Sequence, residues 1–323
     1  MASLRYLFHN GKNSKIKYYA ISYIRLLMPR FIYRLRLEHE LGKVDRCADA
    51  EYIKRRVDYY NKPNHGCKLG DDAIALKDVK VRDHASVYFF DFFEFARWFS
   101  PNLLCSYVPG DISRTLPTYA ITKSRPIGDD NENSVIMKLE KNRHFTFLKD
   151  NIPFEKKMNK VIFRGKISNK ENRIDFMKKF YGDPMFDIGN VDHGSSFPQE
   201  WKKEKMSFYD HLKSKFIMSL EGNDVASNLK WVMSSNSIAV SPRLTCETWF
   251  MEGTLIPDYH YIEIKEDFSD LKEKLQYYID NPAKANAIIQ HAHEYIEQFK
   301  DCKREKLISL LVLDKYFRMT QQR

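Results

Sequence analysis

The feature that most constrains this fold is a pattern of short apolar runs in the second half of the chain. Residues 216–220 read as a buried strand, and the polar turn Glu221-Gly222-Asn223-Asp224 follows them. We expect a helix at 225–235, capped by Asn223 or Asp224, and further strands at 237–240 and 260–264. Strand, turn, helix and strand in this order form the βαβ unit of a parallel α/β sheet.

The turn at Gly222 also predicts where a ligand binds. At the end of such a strand, the free N–H groups of a helix N-terminus attract anions. We therefore expect any nucleotide to bind at this turn. Lys230 lies within two turns of the predicted helix N-terminus, and a solvated lysine is the alternative interpretation of it.

Two arginines are candidates for holding a diphosphate. Arg164 and Gly165 follow a short apolar strand predicted at residues 160–163, and glycine lets a ligand approach the backbone closely. Arg173 comes nine residues after Arg164, and we expect it on the next helix. For either arginine alone, a surface salt bridge is the alternative interpretation.

Asp91 is the candidate general base. It follows an aromatic run that we predict as a strand over residues 86–90, and a short helix is expected over 92–99. A carboxylate at the carboxyl end of a strand would face a ligand, and apolar neighbours would raise its pKa, as a base requires. A capping box with Glu94 is the alternative, and the two roles are compatible.

Other acidic residues have weaker signals. Glu247 or Glu252 could accept both hydroxyls of a ribose, with a helical surface acid as the alternative. The acidic cluster at residues 129–132 has neither the spacing nor the glycine of an EF-hand, so we predict a solvated loop and no metal site.

Charge and composition point to an anionic partner. The net charge is +10, and aromatic and aliphatic residues separate the basic residues of the first forty positions. These basic residues are Arg5, Lys12, Lys15, Lys17, Arg25, Arg30, Arg34 and Arg36. Such a segment can lie on an anionic membrane surface, and helices packed with a solvated basic face are the alternative. Because no signal peptide or membrane span is recognisable, we predict a cytoplasmic protein, peripheral at the inner face of a bacterial inner membrane.

The length of 323 residues suggests two domains. We predict an N-terminal acceptor-binding domain over residues 1–155 and a nucleotide-sugar-binding domain over residues 156–323. Helices are expected at 269–280, 282–299 and 304–317, with the last one packing back on the first domain.

At these residues the sequence resembles glycosyltransferase family 90, which contains protein O-glucosyltransferases, CAP10-like proteins and bacterial lipopolysaccharide glycosyltransferases. The resemblance covers about residues 85–300. Its motifs appear as Asp210-His211-Leu212-Lys213-Ser214-Lys215-Phe216, Gly222 with Lys230, Phe163-Arg164-Gly165, residues 255–262, and Asp91-Phe92 with Trp98. The bacterial lipooligosaccharide branch is the most similar, through Lys123-Ser124-Arg125-Pro126 and Asn228-Leu229-Lys230-Trp231.

The resemblance implies a GT-B fold, in which two Rossmann-like domains face each other across a cleft. It implies an inverting, metal-independent transfer of a hexose, glucose or galactose, from a UDP-sugar to a lipooligosaccharide or lipopolysaccharide core saccharide. Asp91 would be the base, and no cofactor or nucleic acid would take part. The residues assigned to the donor are Arg164, Gly165, Arg173, Gly222, Asp224, Asn228, Lys230 and Glu247.

The sequence departs from the family pattern in two places. The eukaryotic members have an arginine where Asn228 stands, and their second arginine falls one position before Arg173. Binding of the diphosphate must therefore depend on Arg164, Lys230 and the helix N-terminus. The alternative class is a non-catalytic basic protein that binds anionic glycolipid or RNA, although no RNP, KH or zinc motif supports RNA.

Overall fold

The computed structural model describes residues 10–82, 85–192, 194 and 196–323. Arg5, one of the basic residues noted above, lies outside these ranges. The chain divides into two compact units. The sheet unit contains residues 143–244 and 254–298, with the described residues up to Asn13. The helix-rich unit contains residues 14–142, 245–253 and 299–323.

Helices and strands alternate along much of the described chain. The α-helices are α1 (Lys15–Leu27), α2 (Arg30–Leu41), α3 (Ala50–Tyr60), α4 (Ser86–Ala96), α5 (Lys141–His144), α6 (Glu171–Phe180), α7 (Phe208–His211), α8 (Leu229–Val232), α9 (Leu271–Asp280), α10 (Pro282–Glu297) and α11 (Cys302–Met319). The strands are β1 (Ile74–Ala75), β2 (Leu104–Cys105), β3 (Tyr107–Val108), β4 (Ala120–Thr122), β5 (Ser124–Pro126), β6 (Ser134–Ile136), β7 (Met158–Gly165), β8 (Phe186–Asn190), β9 (Ser214–Met218), β10 (Ile238–Pro242), β11 (Cys246–Thr248) and β12 (Ile262–Ile264). Short 3₁₀ turns lie at Val44–Arg46, Phe154–Lys156, Gln199–Trp201 and Glu252–Thr254.

The sheet unit is built on five parallel strands in the spatial order β12-β10-β9-β7-β8. If these strands are counted along the chain, the order is 2-1-3-4-5, which is that of flavodoxin-like, doubly wound sheets. The predicted α/β class with a parallel sheet is confirmed, and the predicted strands at 160–163, 216–220, 237–240 and 260–264 fall in or beside β7, β9, β10 and β12. The winding direction reverses between β7 and β9.

Aromatic side chains form much of the core of this sheet unit. Phe176 of α6 is fully buried, and its ring contacts those of Phe163, Phe180, Phe186 and Phe268. Because helices cover the faces of a parallel sheet, its strands are continuous apolar runs, which is why sequence periodicity located them correctly.

The helix expected at 225–235 is much shorter than predicted, since only Leu229–Val232 is helical. The hydroxyl of Ser234 donates to the carbonyl of Trp231 at 2.8 Å, and that of Ser235 donates to the carbonyl of Val232 at 2.7 Å. Such bonds compete with helical backbone bonds. The expected cap by Asn223 or Asp224 is also wrong, because the residue before the helix is Asn228.

The helix-rich unit joins distant parts of the sequence around α11. This helix packs on α2, α3 and α4. The unit also holds a parallel sheet in the order β3-β4-β6, and the antiparallel pairs β1–β2 and β5–β11. The predicted helices at the end of the chain are confirmed as α9, α10 and α11. The division at residue 155, with its two binding roles, stays a prediction.

The prediction for residues 86–99 is wrong in its first half. Residues 86–96 form the helix α4, so the expected strand at 86–90 does not exist and Asp91 lies in mid-helix. The capping box with Glu94 is excluded as well, because Ala85 precedes the first turn. This helix is apolar almost all round and buried, and a short apolar run of that kind cannot be told from a buried strand by periodicity alone.

No helix within the described residues is long and apolar enough to cross a membrane.

Replacing Phe176 with alanine should lower the free energy of unfolding by about 3–5 kcal/mol, because the substitution opens a cavity in the aromatic core. Denaturant unfolding followed by circular dichroism measures the change. The matched control is Lys178→Ala on the same helix, whose side chain is 63% exposed; it should change stability by about 0.5 kcal/mol or less. Equal losses for the two variants would contradict this account of the core.

Candidate active site

The reversal point of the parallel sheet lies between β7 and β9. In open sheets of this kind, ligands bind at the carboxyl ends of the strands beside the reversal point, because the connections there leave on opposite faces. The ends of β7 and β9, together with the loops and helices that follow them, contain all of the donor residues predicted from sequence except Glu247. The structure therefore gives an independent reason to look for a ligand at this place.

Arg173 joins the two loops. It lies near the start of α6, and its guanidinium donates to three backbone carbonyls. Nη1 donates to Lys166 at 2.9 Å, Nη2 to Leu220 at 2.7 Å, and Nε to Glu221 at 3.1 Å. A Cβ at Gly222 would lie 3.2 Å from Nη2, so a larger residue would crowd this arginine. The surface salt bridge considered for Arg173 is thus wrong.

No carboxylate among the described residues balances the positive charge of Arg173. Its guanidinium donates to the three carbonyls and lies 6.0 Å from the centroid of the Phe163 ring, and these partners orient it but carry no net charge. Burial first, and then the neighbouring charge of Arg143, lowers the pKa of Arg173 to about 10. The group therefore stays protonated at neutral pH while lacking a counterion, and an incoming anion would supply one.

Arg164, unlike Arg173, forms an ion pair with a carboxylate. Its Nη2 forms an ion pair with Oδ1 of Asp187 on the neighbouring strand β8 at 2.7 Å, and its Nη1 donates to the Asp187 carbonyl at 2.8 Å. The salt-bridge interpretation is confirmed for this arginine. Gly165 allows close packing, since a Cβ there would lie 2.6 Å from the Phe163 ring. Contact of either residue with a donor stays a prediction.

The turn after β9 contains the other predicted residues of this unit. The N–H of Gly222 donates to the carbonyl of Asp224 at 3.0 Å, and Nδ2 of Asn228 donates to the carbonyl of Met218 at 2.9 Å. These bonds fix the path of the chain as it leaves the strand. Lys230 is fully buried, so the solvated-lysine interpretation is wrong.

Glu247 lies in the helix-rich unit, on β11, and not in the unit that holds Arg173. It is 2% exposed, and it accepts from Nε of Arg125 at 2.7 Å and from the Tyr59 hydroxyl. Glu252 accepts from the N–H of Thr248 at 2.6 Å. The expected surface position of these acids is wrong, and a contact of Glu247 with ribose stays a prediction.

Asp91 is buried in the helix-rich unit, with 1% of its surface exposed. Its Oδ1 accepts from the hydroxyl of Tyr18 on α1 at 2.8 Å, and its Oδ2 accepts from the N–H of Lys141 at 2.9 Å. The ammonium group of Lys141 is 3.4 Å from Oδ1. The carboxylate is therefore held by three donors rather than lying open at a strand end.

Burial raises the pKa of the Asp91 carboxyl above its ordinary value. The charge and N–H of Lys141, together with the Tyr18 hydroxyl, act in the opposite direction because they favour the ionised form. A carboxyl with a raised pKa is a better proton acceptor than an ordinary aspartate, provided that an acceptor hydroxyl reaches it. Sequence reasoning found Asp91 but missed Tyr18 and Lys141, because no local pattern marks contacts across 73 and 50 residues.

The absence of a metal site in the acidic loop at 129–132 stays a prediction. Across the described ranges, there is no group of three or more His, Cys, Asp or Glu side chains that could hold a metal ion.

Comparison with known proteins identifies the family. The sequence matches Glycosyl transferase family 90 over residues 116–321. The O-glucosyltransferase LpsA of Dichelobacter nodosus is 35% identical over 311 residues, which are 95% of this chain and 96% of that protein. Protein O-glucosyltransferase 2 of Danio rerio is 30% identical over 142 residues, and protein O-glucosyltransferase 3 of Homo sapiens is 28% identical over 182 residues.

The two eukaryotic similarities are partial. They involve 42% and 54% of this chain, and the matched region spans only 28% and 33% of those relatives. The relative from Dichelobacter nodosus, in contrast, aligns over nearly the full length of both chains. The parallel α/β sheet and these similarities define the protein as a glycosyltransferase. The chain belongs to glycosyltransferase family 90, as its motifs indicated, and the alternative of a non-catalytic binding protein is set aside.

Proposed function

We propose that the protein transfers glucose, or another hexose such as galactose, from a UDP-sugar to a lipooligosaccharide or lipopolysaccharide core saccharide with inversion at the anomeric carbon. The observation that supports this most is the positive charge of Arg173 at the sheet reversal point, which no carboxylate of the described part of the chain balances. The relative from Dichelobacter nodosus, which aligns over nearly the full length of both chains, is named an O-glucosyltransferase, and this name favours glucose. The saccharide acceptor follows from the resemblance to the bacterial branch.

In this proposal the sheet unit holds the donor. The diphosphate lies beside the loops after β7 and β9, and the guanidinium of Arg173 becomes its counterion. The three carbonyls that orient Arg173 also keep it in place before the donor arrives. A cation that is already oriented stabilises charge developing on a leaving group without a cost of reorganisation. The GT-B arrangement of the two units belongs to this proposal.

The helix-rich unit provides the base. An acceptor hydroxyl donates its proton to Oδ1 of Asp91 while its oxygen attacks the anomeric carbon. The bond from that carbon to the UDP oxygen breaks at the same time, and UDP leaves with the bonding electron pair. Because Tyr18 donates to the same oxygen, the acceptor hydroxyl must share or take the place of that hydrogen bond.

The reaction needs no metal ion in this proposal, because cationic side chains take the role of neutralising the leaving diphosphate. The protein would act in the cytoplasm, in peripheral contact with an anionic membrane that carries its acceptor. The basic residues of α1 and α2 support this location.

Arg173→Ala should weaken UDP binding by about tenfold to a hundredfold, the usual size of a lost hydrogen-bonded charge contact. Uridine binding should change little, because uridine has no phosphate. Isothermal titration calorimetry with both ligands measures the difference. Lys178→Ala on the same helix, which should leave both affinities unchanged, is the control. Equal losses for UDP and uridine would show that Arg173 does not contact the diphosphate.

Asp91→Asn should reduce transfer by about 10²–10⁴-fold, the contribution typical of a general base, and should leave UDP binding intact. A radiolabelled sugar-transfer assay and calorimetry test the two parts separately. A variant that keeps more than about a tenth of the wild-type rate would exclude Asp91 as the base.

Tyr18→Phe tests the hydrogen bond between Tyr18 and Asp91. The Tyr18 hydroxyl lowers the pKa of Asp91, so its removal should raise that pKa further. Since a base acts when deprotonated, the acidic limb of the kcat/KM profile should move to higher pH. A merely structural role of Tyr18 would lower the rate without moving this limb.

Transfer should persist after exhaustive treatment with EDTA. The assay is the same sugar transfer, with a metal-dependent glycosyltransferase as the positive control for chelation. Loss of activity that Mn²⁺ or Mg²⁺ restores would contradict the proposal and return attention to Asp129 and Asp130.

A further inference from the structure

The outward faces of α1 and α2 carry an exposed apolar surface. Of the seventeen large hydrophobic residues that are exposed in the described chain, nine lie between positions 16 and 35. We call this set the apolar face: Ile16, Ile21, Tyr23, Ile24, Leu27, Met28, Phe31, Ile32 and Leu35. The most exposed are Ile16 at 85%, Leu27 at 84% and Leu35 at 81%. A concentration of this kind marks an interaction site, whereas isolated exposed residues need no explanation.

Apart from Tyr23, whose ring packs edge-on against Phe90, the apolar face is not the side by which these helices pack on their own unit. On α1, Tyr18 donates to Asp91 and Ser22 is buried, while the Tyr19 ring packs edge-on against Phe90. On α2, Leu37 and Leu41 are buried. Each helix therefore already has a packed side. Ile16, Ala20, Ile24 and Leu27 follow helical spacing along a second stripe that faces outward.

Basic residues border this stripe, whereas the two acidic residues of α2, Glu38 and Glu40, form ion pairs with Arg323, Lys43 and Lys306. Helix α1 contains Lys15, Lys17 and Arg25 but no Asp or Glu. Helix α2 contains Arg34 and Arg36, both exposed. Lys15, Lys17, Arg34 and Arg36 form no ion pairs with any residue that the structure describes.

We infer that the apolar face is a membrane-docking surface, with its aliphatic and aromatic side chains inserted at the acyl boundary of an anionic bilayer and its basic residues on the lipid phosphates. This inference rests on the proposed membrane location and gives it a mechanism. A protein partner fits less well, because lysine is depleted at protein interfaces, whereas the exposed Lys15 and Lys17 flank the apolar stripe here. An amphipathic helix lying in the bilayer interface has this combination.

Docking through this face would bring the candidate base close to the lipid. Tyr18, on the packed side of α1, contacts Asp91 directly, so that Asp91 lies about one helix diameter, roughly 10–12 Å, from the lipid-facing stripe. A saccharide attached to a lipid would extend over that distance from the bilayer surface.

The salt dependence of membrane binding distinguishes insertion of apolar side chains from electrostatic attraction alone. At 1 M salt the screening length is only about 3 Å, so binding by charge alone should disappear. Inserted apolar side chains keep their contribution, and part of the binding should therefore remain.

The experiment is flotation of the full chain with vesicles of phosphatidylglycerol and phosphatidylethanolamine, at low salt and at 1 M salt. The test variant is Ile16→Gln/Leu27→Gln/Leu35→Gln, since glutamine keeps helix propensity while removing apolar surface. The matched control is Ile74→Gln/Met158→Gln/Ile256→Gln, which changes three exposed hydrophobic residues elsewhere. A second variant, Arg34→Gln/Arg36→Gln, probes the charges.

We expect wild type and the matched control to float at low salt and in part at 1 M salt. The test variant should lose affinity on the order of a hundredfold at both salt concentrations, because three inserted side chains each contribute in proportion to their buried area. The double arginine variant should bind less at low salt only. Vesicles of phosphatidylcholine alone should bind wild type more weakly, since they lack the anionic headgroup.

Several results would overturn the inference. Flotation of the test variant equal to wild type, or no flotation of wild type, would exclude insertion. A lowered melting temperature of the test variant would mean that the apolar face packs on other parts of the chain. A wild-type dimer that dissociates in the variant, seen by light scattering, would mean that a second copy covers it. Flotation is measured without sugar transfer, so failure of the proposed enzymatic activity leaves this test unaffected.

Discussion

The helix-rich unit depends on one buried carboxylate. Glu305, on α11, accepts from Nη1 of Arg56 at 2.6 Å, from Nζ of Lys138 at 2.7 Å and from Nε1 of Trp249 at 2.7 Å. These three partners come from α3, from the segment after β6 and from residues 245–253. A buried charge is tolerated only with such partners, and breaking a buried ion pair typically costs about 3–5 kcal/mol. The same carboxylate thus fixes α11 against three other segments of the helix-rich unit, which is also the unit that contains Asp91.

Sequence patterns located the sheet unit well, and physical reasons explain where they failed elsewhere. The strands around Val161 and Phe216 are continuous apolar runs because both faces of the parallel sheet are covered. The run around Phe90 is also continuously apolar, yet it is a helix. Because this helix is buried on nearly all sides, its sequence lacks the polar face by which a helix is recognised. Residues 245–253 belong to the helix-rich unit through Trp249, and no local signal predicts a partner 56 residues away.

The candidate site shows the same division between local and non-local information. Residue type and spacing were enough to select Arg173, but not to rank it above Arg164. The difference lies in Asp187, which is in register with Ile162 on the neighbouring strand and neutralises Arg164. Among the described residues, the guanidinium of Arg173 donates to backbone carbonyls and lies near the Phe163 ring, and it pairs with no carboxylate. A pairing that depends on strand register cannot be read from the sequence alone, since a shift of one residue would place Asp187 on the other face.

Burial acts in the same sense on both groups of the proposed mechanism. It raises the pKa of Asp91 and lowers that of Arg173, so in both cases the charged form is less favourable than in water. In the proposed mechanism, an incoming diphosphate would supply a counterion for Arg173, and the guanidinium would attract the charge that develops on the leaving group. For Asp91 the disfavoured charge is relieved when the carboxylate takes a proton. In the proposed reaction, the desolvation penalty of Arg173 falls when the diphosphate binds, whereas that of Asp91 falls only when the carboxylate accepts the proton in the transition state.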